Sequence, residues 1–478
     1  MLVKKEAQPA RLSYFFGPGY SDVKKSIKLM WEKNAEDAEE YYEEYVASGL
    51  MSVNGLFNFS RALSIMTFGS IFSIIISIFI VVVLVLCIVP VYIMFSVVWF
   101  IDWLYLKIHK ISVACSFCHS HYMSPIYECD CGRRHTDLTP GKYGIWKRKC
   151  ECGRLLPTNC FNGRKNLTAL CPECLKQGRV TYLNEKESRP FCIPVIGGRS
   201  VGKTAFITAF SKKFIDEVAP SKGMKVSFYD EKTKVMYQNF DSSYMQGNTV
   251  MTQKKDTRTN TSAIDFSFFV SHDKLKPTRL VHIYDIAGET FTKNEEYELP
   301  KHFTYSQGMI FMVDPFSIPE IRDNYKSLLG AEDAAGIGYA DVNLILDAFI
   351  AKLRSVTGIK DTQTSDVPLA VVISKIDSPG LKEIFCEEKL NEIMSRPENK
   401  HMKNSDAADI LCREFLSNNG AAGFINSLDM KFKKTKFFYV SAIGHERSKG
   451  AYEPKGVMQP IEWIGELTDK GFVEMWED

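Results

Sequence analysis

The fold of this 478-residue chain is decided by the stretch Gly197-Gly198-Arg199-Ser200-Val201-Gly202-Lys203-Thr204. The stretch matches the phosphate-binding pattern G-x-x-x-x-G-K-[ST]. The apolar run Phe191 to Ile196 predicts a strand that enters this loop, and Ala205 to Ile215 predicts a helix that leaves it. Glycines let successive backbone N–H groups turn toward a phosphate, and the following helix points its positive end at the anion. The arrangement therefore predicts a nucleoside triphosphate site.

Two side chains of this loop have predictable roles. Lys203 can reach the β- and γ-phosphates, and the hydroxyl group of Thr204 can bind Mg²⁺. The preceding residues, Gly197 to Gly202, would contribute backbone N–H groups. A chance match in a surface turn is the alternative for the pattern alone, and the strand–loop–helix context disfavours it.

A second apolar strand begins at Leu280 and ends in the pattern D-x-x-G, from Asp285 to Gly288. An aspartate at a strand end beside the phosphate loop can hold Mg²⁺ through water. The backbone N–H of Gly288 can approach the γ-phosphate, so that a loop anchored there would respond to hydrolysis. Alone this pattern is weak, because strands often end in aspartate and turns often contain glycine.

Two later strands end in patterns suited to a purine base. The first runs from Leu369 and ends in S-K-x-D, in which the carboxylate of Asp377 would accept hydrogen bonds from guanine N1–H and the 2-amino group. The stem of Lys375 would pack along the base. The second ends in Ser441-Ala442, where the N–H of Ala442 would face guanine O6. An exposed turn is the alternative for S-K-x-D taken alone.

In this order and on consecutive strand ends, the four segments resemble the P-loop GTPases of the Ras-like, translation-factor-related class over residues 189–478. The resemblance implies an α/β domain with a mostly parallel sheet that binds GTP or GDP with Mg²⁺ and hydrolyses GTP. It implies Mg²⁺ ligation by Thr204 and Asp285 and catalytic roles for Lys203, Gly288 and Glu289. The implied nucleotide contacts are Gly197, Gly198, Arg199, Ser200, Val201, Gly202, Lys203, Thr204, Asp285, Lys375, Asp377, Ser441 and Ala442.

The sequence departs from the Ras-like pattern in several places. Glu289 stands where a water-orienting glutamine is usual, and its carboxylate would repel the γ-phosphate, so hydrolysis is expected to be slow and partner-dependent. Ser374 replaces the usual asparagine or threonine of the guanine motif. The switch-I threonine is left open among Thr252, Thr257, Thr259 and Thr261. Extra segments at 216–251, 317–366 and 378–434 are expected to carry partner or dimer contacts.

Residues 62–101 contain no charged side chain and consist mostly of Ile, Val, Leu and Phe. One bilayer span needs about 20 such residues, so this stretch predicts a transmembrane or re-entrant helical hairpin over residues 62–106, with Pro90 as a break. Trp99, Trp103 and Tyr105 would form an interfacial aromatic belt. A single tilted span and a buried soluble helix pair are the alternatives. The first 61 residues are expected to be a helical cytosolic segment, and the catalytic domain is expected on the cytoplasmic face of the inner membrane.

Eight of the 13 cysteines form four close pairs within residues 112–180, the pattern of a double zinc ribbon with two Zn²⁺. The simplest assignment is sequential, and an interleaved assignment uses the same residues. Disulfides are disfavoured, because a nucleotide domain indicates a reducing compartment. His119, His121, His135 and Cys160 are spare candidates. The sequential sets are Cys115, Cys118, Cys129 and Cys131, then Cys150, Cys152, Cys171 and Cys174.

The cysteine-rich region is also basic and contains Tyr143, Trp146 and Phe161. Nucleic acid is a possible ligand for such a surface, and anionic lipid headgroups or a merely solvated face are the alternatives. The net charge of the chain is only +2, which gives no overall attraction for polyanions, so nucleic acid is disfavoured.

Residues 112–478 resemble, more loosely, the double zinc ribbon and GTPase of some bacterial double-GTPase proteins of conflict systems. That resemblance implies GTP-switched signalling to an effector subunit or a second GTPase, in antiviral defence or stress signalling. A pseudo-GTPase scaffold and a dynamin-like membrane-remodelling protein are the alternatives. Glu289 favours the scaffold, and the long apolar segment favours the remodelling protein.

Overall fold

A computed structural model describes residues 8–49, 51–115, 118, 120–183, 188–245, 263–286, 301–328, 338, 340–360, 362–399, 401–445 and 452–477. The chain divides into two compact units. Unit 1 comprises Met1–His109 and Met123–Lys186, and unit 2 comprises Lys110–Tyr122 and Glu187–Asp478.

The helices in the described ranges are α1 (Pro18–Ala47), α2 (Val53–Ser64), α3 (Ser70–Ile108), α4 (Pro172–Lys176), α5 (Lys203–Lys212), α6 (Ala219–Ser221), α7 (Glu231–Met245), α8 (Pro319–Tyr325), α9 (Val342–Thr357), α10 (Glu387–Met394), α11 (Asn404–Asn418), α12 (Ala422–Lys431), α13 (Gln459–Thr468) and α14 (Lys470–Glu477). Short π-helical turns, Ile65–Gly69 and Lys213–Val218, follow α2 and α5.

The strands are β1 (Val113–Ala114), β2 (His121–Tyr122), β3 (Ile126–Glu128), β4 (Arg134–His135), β5 (Lys147–Lys149), β6 (Leu155–Pro157), β7 (Thr168–Leu170), β8 (Tyr182–Leu183), β9 (Arg189–Gly197), β10 (Lys225–Phe228), β11 (Ala263–His272), β12 (Leu275–Ile286), β13 (Met309–Val313), β14 (Leu369–Ile373) and β15 (Thr435–Tyr439).

Unit 1 contains one continuous helix in place of the predicted hairpin. α2, the π-helical turn and α3 run without a break from Val53 to Ile108, and this is the one helix of the described residues that is long and apolar enough to cross a membrane. The helix continues through Pro90. A proline removes one backbone hydrogen bond but does not by itself reverse a chain, and residues 70–101 contain no Gly, Asn or Asp beside Pro90 to form a turn.

The rest of unit 1 is a helix that lies against this long helix and a small β-rich module. α1, predicted as a charged helix from the sequence, packs antiparallel to the long helix, and the Asn34 side chain donates to the Gly69 carbonyl at 3.1 Å. The module, residues 123–183, has an antiparallel sheet of order β4-β3-β7-β8 and the hairpin β5-β6. Residues 8–13 form an arm that adds to β5 through an antiparallel bridge between Ala10 and Cys150.

Unit 2 is built on a seven-stranded sheet of order β10-β11-β12-β9-β13-β14-β15. Every pairing from β12 to β15 is parallel, and β10 and β11 add antiparallel at one edge. β9, β13 and β14 are buried almost throughout, which explains why these strands appear as continuous apolar runs in the sequence. The α/β fold with a mostly parallel sheet is therefore confirmed. Its parallel strands end at one common edge.

Alternate residues of each central strand face two separate cores. Phe191 and Ile193 of β9 pack with α5, α13 and α14 on one face of the sheet, whereas Val371 and Ile373 of β14 pack with α9, α11 and α12 on the other. The extra segment 378–434 therefore completes a core instead of forming a surface appendage: Leu416 of α11 and Leu428 of α12 are fully buried.

A buried carboxylate fastens the start of the sheet to the C-terminal helices. Asp469 accepts hydrogen bonds from Arg279 Nε at 2.6 Å and Nη2 at 3.1 Å, and Arg189 Nε lies 3.3 Å from its Oδ2. Because its removal would leave two arginines without their carboxylate partner, we expect Asp469→Ala to lower the free energy of unfolding of unit 2 by about 3–5 kcal/mol in urea titrations.

The control for this prediction is Asp366→Ala, which removes an exposed partner of Lys433. That change should cost less than about 1 kcal/mol, since exposed ion pairs contribute little. Equal effects of the two substitutions would contradict a stabilising role for Asp469.

Candidate nucleotide site and metal centre

The phosphate loop follows β9 at the carboxyl edge of the sheet, as predicted. Gly197 has a φ of +153°, and a Cβ there would lie 2.7 Å from the Met312 carbonyl oxygen, so a larger residue would displace β13. Gly202, with a φ of +90°, is the N-cap of α5. These left-handed positions wrap the loop around the N-terminus of α5, where backbone N–H groups lack intrahelical partners. The geometry suits an anion.

Lys203 is buried within the loop that it follows. Its Nζ donates to the carbonyl oxygens of Gly197 at 3.0 Å and Gly198 at 2.7 Å. Burial lowers the pKa of this ammonium group, and the nearby Asp285 carboxylate opposes the shift. A phosphate at the loop would supply the negative partner that carbonyl dipoles replace only in part.

Thr204 and Asp285 meet across 81 positions of sequence. Thr204 Oγ1 donates to Asp285 Oδ2 at 2.6 Å. Asp285 is only 1% exposed, and its Oδ1 has no hydrogen-bond partner among the described residues. Burial raises the pKa of this carboxyl group. A buried carboxylate oxygen beside a hydroxyl is a donor set that fits Mg²⁺, which binds oxygen ligands and retains several waters.

The purine-binding patterns also come together at this edge. Asp377 Oδ1 accepts a hydrogen bond from Ser441 Oγ at 2.7 Å, and Ser441 Oγ accepts one from the Gly444 N–H at 2.7 Å. Ser441 therefore orients the carboxylate that the sequence assigns to guanine. Ser374 does not face a base: its hydroxyl donates to the Val313 carbonyl at 3.1 Å. Ala442 lies partly buried at the end of the β15 segment.

One residue of this site was missed from the sequence. Asp314, fully buried directly after β13, accepts a hydrogen bond from Lys375 Nζ at 2.5 Å and from the Gly338 N–H at 3.1 Å. A Cβ on Gly338 would lie 2.7 Å from the carbonyl oxygen of Arg199, so this segment touches the phosphate loop. Asp314 thus links the guanine motif with the neighbourhood of the phosphate loop. The sequence does contain a signal for Asp314, because this aspartate directly follows the apolar strand β13.

Several predicted residues lie outside the described part of the chain. They include the D-x-x-G glycine and the acidic residue after it, Gly288 and Glu289, and the four switch-I candidates Thr252, Thr257, Thr259 and Thr261. Their roles remain predictions.

A candidate metal centre lies in the β-rich module. The ligand atoms of Cys129, Cys131, Cys150 and Cys152 all lie within 4.8 Å of one another. The Sγ atoms of Cys129 and Cys152 are 3.7 Å apart, as are those of Cys131 and Cys150. None of these four cysteines forms a disulfide. Four thiols at this spacing fit a tetrahedral Zn²⁺ site.

Two equivalent turns build this tetrad. In each, the first cysteine N–H donates to the arginine carbonyl four residues later, Cys129 to Arg133 at 2.9 Å and Cys150 to Arg154 at 2.8 Å. The following glycines, at φ of +78° and +99°, close the turns. The turns also exchange ion pairs: Arg133 lies 3.3 Å from Glu151, and Arg154 contacts Asp130.

The observed grouping overturns the sequential assignment. Cys129 and Cys131 pair with Cys150 and Cys152 because the two turns face each other, whereas sequence order suggests the preceding pair as partner. The second cysteine pair of the pattern thus groups with the third, which is neither the sequential nor the interleaved assignment. Cys115, Cys118, Cys171 and Cys174 remain as the candidate ligands of the second zinc ion.

The thiols of the tetrad differ in acidity because their surroundings differ. A backbone hydrogen bond from Arg133 lowers the pKa of the Cys131 thiol to about 6, whereas burial raises the pKa of Cys150 to about 12. Burial also lowers the pKa of His135 to about 4. His135 is fully buried, and it is not among the ligand atoms that group in the described module.

Comparisons with known proteins agree with this geometry. Residues 192–420 match the Double-GTPase 2 family. SaeC of Mycolicibacterium smegmatis, whose name describes it as an ESX-1 scaffolding and assembly protein, is 25% identical over 369 residues, which cover 70% of this chain and 87% of SaeC.

Two solved structures are also similar. They are the Arl6 BBS3 small GTPase from Trypanosoma brucei with bound GppNp (12% identity, 59% of this chain and 98% of that chain, TM-score 0.25) and the signal recognition particle receptor SRb-GTP/SRX complex from Chaetomium thermophilum (12%, 58% and 97%, TM-score 0.27). The family match and the geometry of the sheet edge agree on the fold. The chain resembles the double-GTPases over residues 192–420, and its fold is that of a P-loop GTPase.

Proposed function

We propose that this chain is a membrane-anchored GTP-binding protein that hydrolyses GTP to GDP in a Mg²⁺-dependent reaction and acts as a molecular switch. One observation carries the proposal. The Thr204–Asp285 pair and the Asp377–Ser441 pair stand at the same edge of one parallel sheet, on either side of the phosphate loop. The first pair suits a metal-bound triphosphate, and the second suits a guanine base.

Each side chain then has a definite task. Lys203 would leave its loop carbonyls for the β- and γ-phosphates, and its charge would stabilise negative charge in the transition state. Thr204 and Asp285 would hold Mg²⁺, directly or through water. Since Asp285 begins the D-x-x-G segment, loss of the γ-phosphate would release the chain that follows it. Glu289 in place of glutamine supports slow hydrolysis that depends on a partner.

The biological setting is also a proposal. The match to the double-GTPases supports signalling to a second GTPase or another protein effector in bacterial defence or stress responses. The exposed apolar helix supports attachment to the inner membrane with the GTPase domain in the cytoplasm. Two zinc ions would fasten the module beside that helix, because a module of this size buries few apolar residues.

The test is a titration of the full chain, purified in detergent with zinc, against fluorescent GTP and ATP analogues. Preferential binding of GTP is expected, because adenine offers an acceptor where guanine has N1–H and would leave Asp377 with an unfavourable contact. Equal or preferential binding of ATP would overturn the proposal and leave a P-loop ATPase.

The Asp377→Asn variant sharpens this test. An amide cannot accept both hydrogen bonds from guanine, and it can donate to the 2-oxo group of xanthine. We expect its GTP affinity to fall at least about 10-fold and its affinity for xanthosine triphosphate to rise, consistent with about 1–3 kcal/mol per buried polar mismatch. The matched control is Asp366→Ala, an exposed carboxylate outside the site. Unchanged base preference in Asp377→Asn would contradict the assigned role.

A nucleotide-stabilised scaffold is the second candidate. The name of SaeC, which describes a scaffolding and assembly protein, favours it. Turnover assays with saturating GTP separate the two functions: measurable GDP release supports the switch, and tight GTP binding without turnover supports the scaffold.

A further inference from the structure

The long helix Val53–Ile108 presents an unusually large apolar surface. Its most apolar window has no buried residue, and Phe79 and Leu86 are each 67% exposed. Surfaces of this size on a protein are normally covered. The stretch from 70 to 94 rises by about 37 Å, which is enough to cross a hydrocarbon core of about 30 Å. Length alone would therefore allow a transmembrane span.

α1 accompanies that same stretch. Three contacts along its length fix the direction of α1. Tyr45 packs on Phe59 with ring centroids 5.1 Å apart, and the Asn34 side chain donates to the Gly69 carbonyl. Phe16, just before α1, packs on Tyr92 with ring centroids 5.0 Å apart. α1 therefore runs antiparallel beside the long helix from about residue 59 to about residue 92.

α1 is a charged helix over this length. Its ion pairs Lys28–Glu32 and Lys33–Asp37, at 3.0 and 2.8 Å, point outward, and Lys28 is 71% exposed. Charged side chains within a bilayer are costly and are found facing a protein interior or a water-filled cavity. These do neither. The charged residues beside the apolar stretch are Asp22, Lys24, Lys25, Lys28, Glu32, Lys33, Glu36 and Asp37.

One end of this helix pair, where α1 begins and α3 ends, is attached twice to the metal module. The arm before α1, residues 8–13, is bound to β5: the Arg11 N–H donates to the Lys149 carbonyl at 2.9 Å, and the Glu151 N–H donates to the Pro9 carbonyl at 3.2 Å.

At the same end, Asp102 of α3 is buried. It accepts hydrogen bonds from Arg164 Nη1 and from the Cys160 N–H, both at 2.9 Å. Because α1 runs antiparallel beside the apolar stretch, a crossing by the long helix would carry the exposed ion pairs of α1 through the bilayer with it.

From this geometry we propose that α1 and the long helix lie together along one face of a lipid bilayer without crossing it. The pair is amphipathic as a unit: α1 faces water, and the uncovered face of the long helix contacts acyl chains. The docked arm and the Asp102–Arg164 pair hold the metal module on the same side. This inference rests on the proposed membrane anchor and specifies its topology.

The test places one cleavable epitope tag at the N-terminus and a second in the turn between α1 and α2, after Ser48, in the full chain produced in bacteria. Inside-out membrane vesicles and spheroplasts are treated with the tag-specific protease. We expect both tags to be cleaved in inside-out vesicles and both to be protected in spheroplasts, while the protein stays in the membrane through an alkaline carbonate wash.

Two other outcomes are informative in different ways. A turn tag that is cleaved in spheroplasts, while the N-terminal tag is cleaved only in inside-out vesicles, would show that the helix pair crosses the bilayer and would overturn this inference, with the membrane anchor intact. A protein that is washed off, or is a soluble oligomer with its apolar faces packed on other copies, would overturn the anchor as well.

A matched pair of variants tests the arm itself. Arg11→Pro removes the N–H that bonds Lys149, whereas Arg11→Ala removes the same side chain and keeps that N–H. Faster amide exchange at Glu151 in the proline variant only, by at least about 10-fold, is expected from loss of the docked strand. Equal exchange in both variants would show that the arm is not held as a strand.

Discussion

Replacement of Lys203 by alanine is expected to weaken GTP binding by about 100-fold or more and to abolish GTP hydrolysis. The substitution removes the ammonium group that the loop would direct to the β- and γ-phosphates. Charge-assisted hydrogen bonds contribute about 1.5–3 kcal/mol each, and 1.4 kcal/mol corresponds to a tenfold change in affinity. Titration with a fluorescent GTP analogue, together with phosphate release at saturating GTP, measures both effects.

The control is Lys222→Ala, which removes a half-buried lysine just after the helical segment that follows Lys203. Its GTP affinity should equal that of the unaltered chain. Thermal unfolding without nucleotide should be similar for both variants, so that lost binding is not lost folding. Binding that survives in Lys203→Ala would mean that the glycine-rich turn is not the phosphate site.

Removal of cysteines is expected to release zinc in steps that report the observed grouping. The full chain should contain two Zn²⁺ ions. The double variant Cys129→Ser/Cys150→Ser alters two ligands of one tetrad, so it should lose one ion. The double variant Cys115→Ser/Cys129→Ser alters both groups, so it should lose both. Zinc is measured by atomic emission after gel filtration.

The sequential assignment predicts the reverse order of losses, which makes the two double variants decisive. Cys386→Ser, a cysteine outside both groups, is the control and should retain two ions. Structural zinc contributes about 10–16 kcal/mol of apparent binding free energy in zinc-finger peptides, so loss of an ion should also make the module sensitive to proteases. Full zinc content in all variants would contradict the metal assignment.

The nucleotide site could be read from the sequence where each signal is local. An apolar strand precedes each motif: the phosphate loop, the D-x-x-G segment and the two purine motifs. Parallel strands bring their carboxyl ends to one edge of the sheet, so these motifs meet there. The structure places Thr204, Asp285, Asp377 and Ser441 there together. Those positions follow from strand order and do not require knowledge of side-chain packing.

Other features depend on contacts between distant residues and could not be read in this way. Asp314 acquires its role from Lys375, 61 positions away, and from a glycine in a separate loop. The grouping of the cysteines depends on which turns face each other. A proline such as Pro90 can end a helix or only remove one of its hydrogen bonds, and the packing around the helix decides between the two. An apolar stretch of this length is compatible with both a hairpin and a single helix.

The cysteine tetrads give the basic residues of the module a different meaning. Four thiolates around one divalent ion carry a formal charge of minus two, and two such sites double it. Arg133 already donates from Nη1 to Cys131 Sγ at 3.7 Å, and the reciprocal arginines stand over the tetrad. Arg133 and Arg154 would therefore offset part of the negative charge of a zinc ion bound by these four thiolates. Part of the cationic character of this cysteine-rich stretch would then compensate the protein's own metal site.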